Sequence, residues 1–192
     1  VKEGKPQANM VWLWGVGRKP SLPSFKERFG VSGSIVSAVD LVKGIGALIG
    51  LDVLNVEGAT GYLDTNYGGK VKVALSSLEK HDFVYLHVEA PDEASHEGSL
   101  EKKIQAIEDF DSKVVGPVIE GLDEPFHLAV LTDHRTPVSV RTHTAEPVPF
   151  AIWRSDEEGD NAKTFSEKGA ESGSYGLQKG LEFIELLFSP KS

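Results

Sequence analysis

The chain has 192 residues, 40% of them hydrophobic and 26% charged, with a formal net charge of −9. That length suits one domain with a real core, and the acidic balance argues against a nucleic-acid or anionic-membrane partner, either of which needs a basic surface. No cysteine is present, which excludes disulfides, zinc–thiolate sites and cysteine nucleophiles.

In chain order, VKEGKPQANM at residues 1–10 lacks the apolar core of a signal peptide, so a cytoplasmic location is the default expectation. ANMVWLWG at 8–15 reads as a buried strand ending at glycine. SLPSFKERFG is a short helix or turn with Gly30 as its C-cap, and SIVSAVDLVKGIGALIG is an apolar run of helical length. IGALIGLDVL is too short and glycine-broken to span a bilayer. DVLNVE reads as a strand, GATGYLDTNYGG as a glycine-rich loop and KVKVALSSLEKH as a helix. DFVYLHVEA has few polar breaks, as expected of a central strand covered on both faces.

SLEKKIQAIEDFDSKVVGPVIEGL is a long helix capped by Ser99, with its apolar stripe on Leu100, Ile104, Ile107, Val114, Val115 and Val118. FHLAVLTDH and PVPFAIWR are strands, and LQKGLEFIELLF is a closing amphipathic helix. The alternation predicts an α/β fold with a mainly parallel sheet flanked by helices. Ligands in such folds gather beyond the carboxyl ends of the strands.

Two acidic and histidine clusters follow predicted strands at that end. Asp92 and His96 are spaced i, i+4, so one helical turn would aim both at one point. Asp133 and His134 are adjacent at a strand end, and His143 follows in RTHTAEPVPF. Carboxylate oxygen with imidazole nitrogen suits Mn²⁺, Zn²⁺ or Fe. Taken singly, each pair also fits a solvated surface.

PDEASHEG, LTDHRTP and THTAEPVPF together resemble the archaeal type of cofactor-independent phosphoglycerate mutase, in the alkaline phosphatase superfamily. PQANMVWLWGVG, GATGYLDTNYGGK and KKIQAIEDFD resemble the same family, in the same order. The resemblance implies an alkaline-phosphatase-like catalytic domain and two divalent metal ions, manganese ahead of zinc, magnesium or cobalt. Asp92, His96 and His143 match the protein ligands of one metal, and Asp133 and His134 match ligands of the second. Lys70 and Arg18 match cations near the transferred phosphoryl group; the plain alternative for Lys70 is a surface lysine at a helix start. His87, Glu89, Glu93 and Glu97 are candidates for supporting a ligand. Arg135 stands where relatives carry a small residue, and could bind phosphate or pair with a carboxylate.

The implied activity is interconversion of 3-phosphoglycerate and 2-phosphoglycerate, in glycolysis and gluconeogenesis, on a small phosphorylated substrate. Some relatives carry homoserine kinase or phosphonopyruvate decarboxylase labels. A related phosphotransferase or phosphohydrolase therefore stays open, as does a non-catalytic metal-binding domain. Residues 1–192 are expected to form the C-terminal portion of the catalytic domain, incomplete without an N-terminal segment and an inserted domain. The family's aspartate ligand and hydroxyl nucleophile are expected in that segment, with Ser32, Ser34 and Ser37 read as capping and packing residues.

Overall fold

In a computed structural model, the chain is described over residues 10–13, 15–123, 125–160 and 162–188. Strand β1 (Gly33–Val36) lies at the centre of a three-stranded parallel sheet, between β2 (Asp52–Leu54) and β3 (Phe83–Leu86). Ser34 faces Asp52 on one side and Val84 on the other. All of β1 is buried, whereas β3 is only half-buried and Tyr85 is exposed. The central position thus belongs to β1, not to β3 as its unbroken apolar run suggests. A second pair, β4 (His127–Leu131) and β5 (Phe150–Arg154), is antiparallel. The architecture is α/β, with helices flanking a mainly parallel sheet.

The run SIVSAVDLVKGIGALIG is not one helix. Its first part is β1 and only Asp40–Leu48 is helical (α2). A central parallel strand shows no polar alternation, so its short apolar stretch cannot be told from buried helix by pattern. Gly46 of α2 explains the close packing of helix on strand: a Cβ there would come within 2.7 Å of Ile35 Cγ2. The strand read at residues 8–15 is also absent where described. Residues 10–13 have no strand pairing, and Met10, Val11, Trp12 and Leu13 are exposed; the rest of that reading, at residues 8, 9 and 14, lies outside the described residues.

Helix α1 (Phe25–Phe29) matches its reading. Ser24 and Glu27 form a reciprocal capping box, and Gly30 closes the helix at φ 77°. Phe25 stacks on Phe83 at 5.0 Å, with Phe29 and Phe188 around it, and this aromatic cluster joins Ile35 and Leu51 in one core. Phe188 ends α8 (Gly180–Phe188), so the last helix closes that core.

Helix α3 (Tyr67–Leu78) starts inside the predicted loop, capped by Asn66. Tyr67 and Val71 form a second core with Val114. The long helix after Ser99 is α5 (Leu100–Phe110), a π-helical turn at Asp111–Val115, then α6 (Gly116–Gly121). A π turn inserts one residue, which rotates the following face by about 100°. The stripe does not hold along its length: Leu100, Ile104 and Ile107, ahead of the π turn, are exposed, while Val114 within it is buried.

Short helices α4 (Ala90–His96) and α7 (Glu167–Ala170) complete the set. Among the described residues, β3 pairs only with β1 and β4 only with β5. Between them lies a cavity of about 1800 Å³, lined by Tyr85, His87, Leu128, Val130 and Asp133. No described helix is long and apolar enough to cross a membrane.

Candidate metal centre

β3 hands the chain to α4 within four residues, and Pro91 in the first turn of α4 favours the helical start. This places Asp92 and His96 one turn apart, with Asp92 Oδ2 3.1 Å from His96 Nε2. His143 comes from the loop after β4. Its Nε2 lies 3.1 Å from His96 Nε2 and 3.4 Å from Asp92 Oδ1. The two imidazole nitrogens thus lie 3.1 Å apart, each facing a different oxygen of Asp92, Oδ2 at 3.1 Å from His96 and Oδ1 at 3.4 Å from His143. A tetrahedral ion with bonds of about 2.1 Å needs edges of about 3.4 Å; an octahedral ion with the same bonds needs about 3.0 Å. The residues fit a divalent metal by donor type and by spacing.

Asp133 and His134 follow β4, and Asp133 Oδ2 lies 3.2 Å from His134 Nε2. The His134 ring stacks on His143 with centroids 3.6 Å apart. Atoms of Asp92, His134 and His143 all fall within 4.8 Å of one another. The structure therefore brings Asp92, His96, Asp133, His134 and His143 to one place at the carboxyl ends of β3 and β4. Thr136 joins the two groups. Its buried hydroxyl donates to Asp92 Oδ1, and its oxygen lies 3.2 Å from His134 Nδ1. Lys103 fixes the backbone there by donating to the Thr136 carbonyl at 2.7 Å.

Lys70 is not a surface lysine. It is fully buried in the first turn of α3, and its Nζ donates to the His87 carbonyl at 3.3 Å. Burial pushes its ammonium below the usual lysine range, and the charge of Glu89 pulls it back up. Glu89 is held above the usual carboxyl range by burial first, then by the charges of Asp92 and Asp133. His87 lies between Ser37 Oγ (3.2 Å from Nδ1) and Glu89 Oε2 (3.4 Å from Nε2), and burial lowers its proton affinity. Glu89, Asp92 and Glu93 also cluster, whereas Glu97 turns away to pair with Lys102.

Arg135 donates from Nε to the Pro147 carbonyl at 2.8 Å, and its charge makes only a minor contribution to the lowering of the Glu146 carboxyl. Arg18 is exposed and makes no hydrogen bond or ion pair with a described residue. The serines are engaged as capping and packing residues. Ser32 donates to Asp82, Ser34 lies 2.6 Å from Ser77 Oγ, and Ser37 accepts from the Val39 amide.

The family described as the metalloenzyme superfamily matches residues 6–180. The chain is 54% identical over 191 residues to a 2,3-bisphosphoglycerate-independent phosphoglycerate mutase of Methanosarcina mazei, covering 97% of this chain and 48% of the relative. The chain thus spans about half the length of the curated relatives it matches. Among solved structures, the PH0037 protein from Pyrococcus horikoshii superposes with a TM-score of 0.83 at 34% identity, covering 88% of this chain and 53% of that one. A cofactor-independent phosphoglycerate mutase from Thermoplasma acidophilum superposes with a TM-score of 0.64 at 23% identity, covering 88% and 39%, and shares the fold.

Proposed function

Because this chain belongs to the metalloenzyme superfamily, we propose that it supplies the metal-holding portion of a cofactor-independent phosphoglycerate mutase. The whole protein interconverts 3-phosphoglycerate and 2-phosphoglycerate, in glycolysis and gluconeogenesis, in the cytoplasm. The observation that carries this reading is the convergence of His96 and His143 on the Asp92 carboxylate, with Asp133 and His134 beside it.

Asp92, His96 and His143 hold one divalent ion, and Asp133 and His134 contribute to a second. Manganese is the first choice for both. Such ions neutralise charge on a transferred phosphoryl group and on the attacking and leaving oxygens. The chain's own residues do the rest. The imidazoles ligate as neutral rings, so acid weakens the site. Thr136 holds Asp92 and His134 in mutual register. Lys70 and Arg18 are the cations assigned to the nonbridging oxygens: Lys70 is already fixed at the end of β3, and Arg18 is exposed.

The phosphoryl group leaves one hydroxyl oxygen of the glycerate for a protein hydroxyl. It then returns to the other glycerate oxygen, each alkoxide regaining the proton given up by the attacking hydroxyl. Ser32, Ser34, Ser37 and Thr136 are each committed to hydrogen bonds inside the fold. As the family resemblance implies, the nucleophile and the remaining metal ligands are assigned to an N-terminal segment outside these 192 residues, which also carries the inserted domain.

The test is a coupled assay of the full-length protein with Mn²⁺ and 3-phosphoglycerate. Turnover on the order of 10 per second, lost on Asp92→Ala, supports the reading. No detectable 2-phosphoglycerate from a folded, manganese-loaded protein refutes it.

A further inference from the structure

Arg141 has φ of 59° and is the one non-glycine among the described residues with positive φ. A left-handed backbone is unfavourable for a residue with a Cβ and persists only where its surroundings enforce it. Two contacts do so here. The Arg141 amide donates to the Pro137 carbonyl at 2.8 Å, closing the turn before it. The Arg141 guanidinium lies over Gly98, where an added Cβ would meet Nε at 2.2 Å.

The strained backbone places the Arg141 carbonyl 3.0 Å from His96 Nδ1. A carbonyl only accepts, so this contact is a hydrogen bond when His96 carries its proton on Nδ1, the tautomer that a metal on Nε2 requires. Its Nε2 is then a free lone pair, and that atom is the one facing Asp92 Oδ2 and His143 Nε2.

We propose that Arg141 is a positioning residue whose left-handed carbonyl sets the His96 tautomer and ring orientation for ligation. The proposal rests on the reading of Asp92, His96 and His143 as a metal site. The orienting group is the backbone carbonyl, and the guanidinium on Gly98 is the clamp that holds it. Histidine ligands are commonly fixed in this way, and loss of the partner weakens metal binding about 10- to 100-fold.

Glycine and valine at position 141 separate the parts. Arg141→Gly removes the guanidinium but suits positive φ; Arg141→Val keeps a Cβ that φ of 59° rejects. Both chains are compared with wild type in the full-length protein by ¹⁵N spectroscopy of the metal-free imidazoles at about pH 8.5. Zn²⁺ titration by calorimetry follows. Wild type and Arg141→Gly should show His96 protonated on Nδ1, and Arg141→Val should shift it toward Nε2. Zn²⁺ affinity should stay within about 3-fold in Arg141→Gly and fall about 10- to 100-fold in Arg141→Val. Far-ultraviolet dichroism confirms that the variants are folded, and Val140→Gly serves as a neighbouring control if Arg141→Val does not fold. It should leave the tautomer unchanged. An Nε2-protonated His96 in wild type overturns the proposal, as does an equal loss in both Arg141 variants. Absence of Zn²⁺ binding with an Nδ1-protonated His96 leaves the carbonyl's role standing and sinks the metal reading instead.

Discussion

Replacing Asp92 by alanine should remove the thermal stabilisation that manganese gives the chain. Asp92 is the carboxylate on which both imidazoles converge: one of its oxygens faces His96 at 3.1 Å and the other faces His143 at 3.4 Å. A ligand that binds only the folded state, present at about 100 times its Kd, stabilises by about 2.7 kcal/mol. For a chain of this length each kcal/mol moves Tm by about 2–4 °C, so wild type should gain about 5–11 °C. Losing a direct ligand should weaken binding by at least the roughly 100-fold cost of losing a strong supporting partner. At the same Mn²⁺ concentration the gain then falls to about 0.4 kcal/mol, or about 1 °C. The assay is thermal unfolding of both chains with and without Mn²⁺, each referred to its own metal-free Tm. An equal Mn²⁺ shift in wild type and Asp92→Ala would refute the reasoning, because the ion would then be bound elsewhere.

Thr136→Val keeps the shape of the side chain but removes the hydroxyl that joins Asp92 to His134; Mn²⁺ affinity by calorimetry should fall about 10-fold with the fold retained. Lys70 has its folded-state proton affinity lowered by burial, so the unfolded state binds more protons between that lowered value and the ordinary lysine range. Its contribution to stability must therefore rise with pH across that window. Lys70→Met should flatten the rise in urea midpoint between neutral and alkaline pH, measured as a difference from wild type. Phe25→Ala empties the centre of the aromatic cluster and should cost about 3–5 kcal/mol in urea unfolding, well above the loss from Leu41→Ala on the exposed face of α2. The 192-residue chain alone with Mn²⁺ should give no 2-phosphoglycerate; turnover near 10 per second would place the nucleophile inside it.

The grouping of the candidate ligands was partly legible because helical spacing and strand ends are local facts. The i, i+4 pair Asp92 and His96 needed only one helical turn, and α4 supplies it. His143 was legible through motif order, since nothing in its spacing from His134 requires the two rings to stack. Thr136 and Arg141 were not legible. A threonine two residues past a histidine carries no signal, and the positive φ of Arg141 depends on Gly98, a partner more than forty positions away. The fold shows the same division. Capping signals such as Ser24 with Glu27 located α1 closely, while the fully covered strand β1 was hidden in a run that pattern cannot distinguish from helix. The single stripe read across α5 and α6 is broken by the π turn between them, an inserted residue that periodicity cannot see.

His96 and His143 stand 47 positions apart in the chain, yet their ligating nitrogens lie 3.1 Å apart. In a flexible chain, closing a loop of 47 residues costs about 4 kcal/mol in conformational entropy on the scale used for cross-links. That is roughly a thousandfold in an equilibrium constant. The folded chain has closed this loop before any ion arrives, through β3, α4 and the turn at Pro137. The same imidazoles and carboxylate on the unfolded chain should therefore hold a metal roughly a thousandfold more weakly, which makes an ion at this centre a reporter of folding as well as of chemistry.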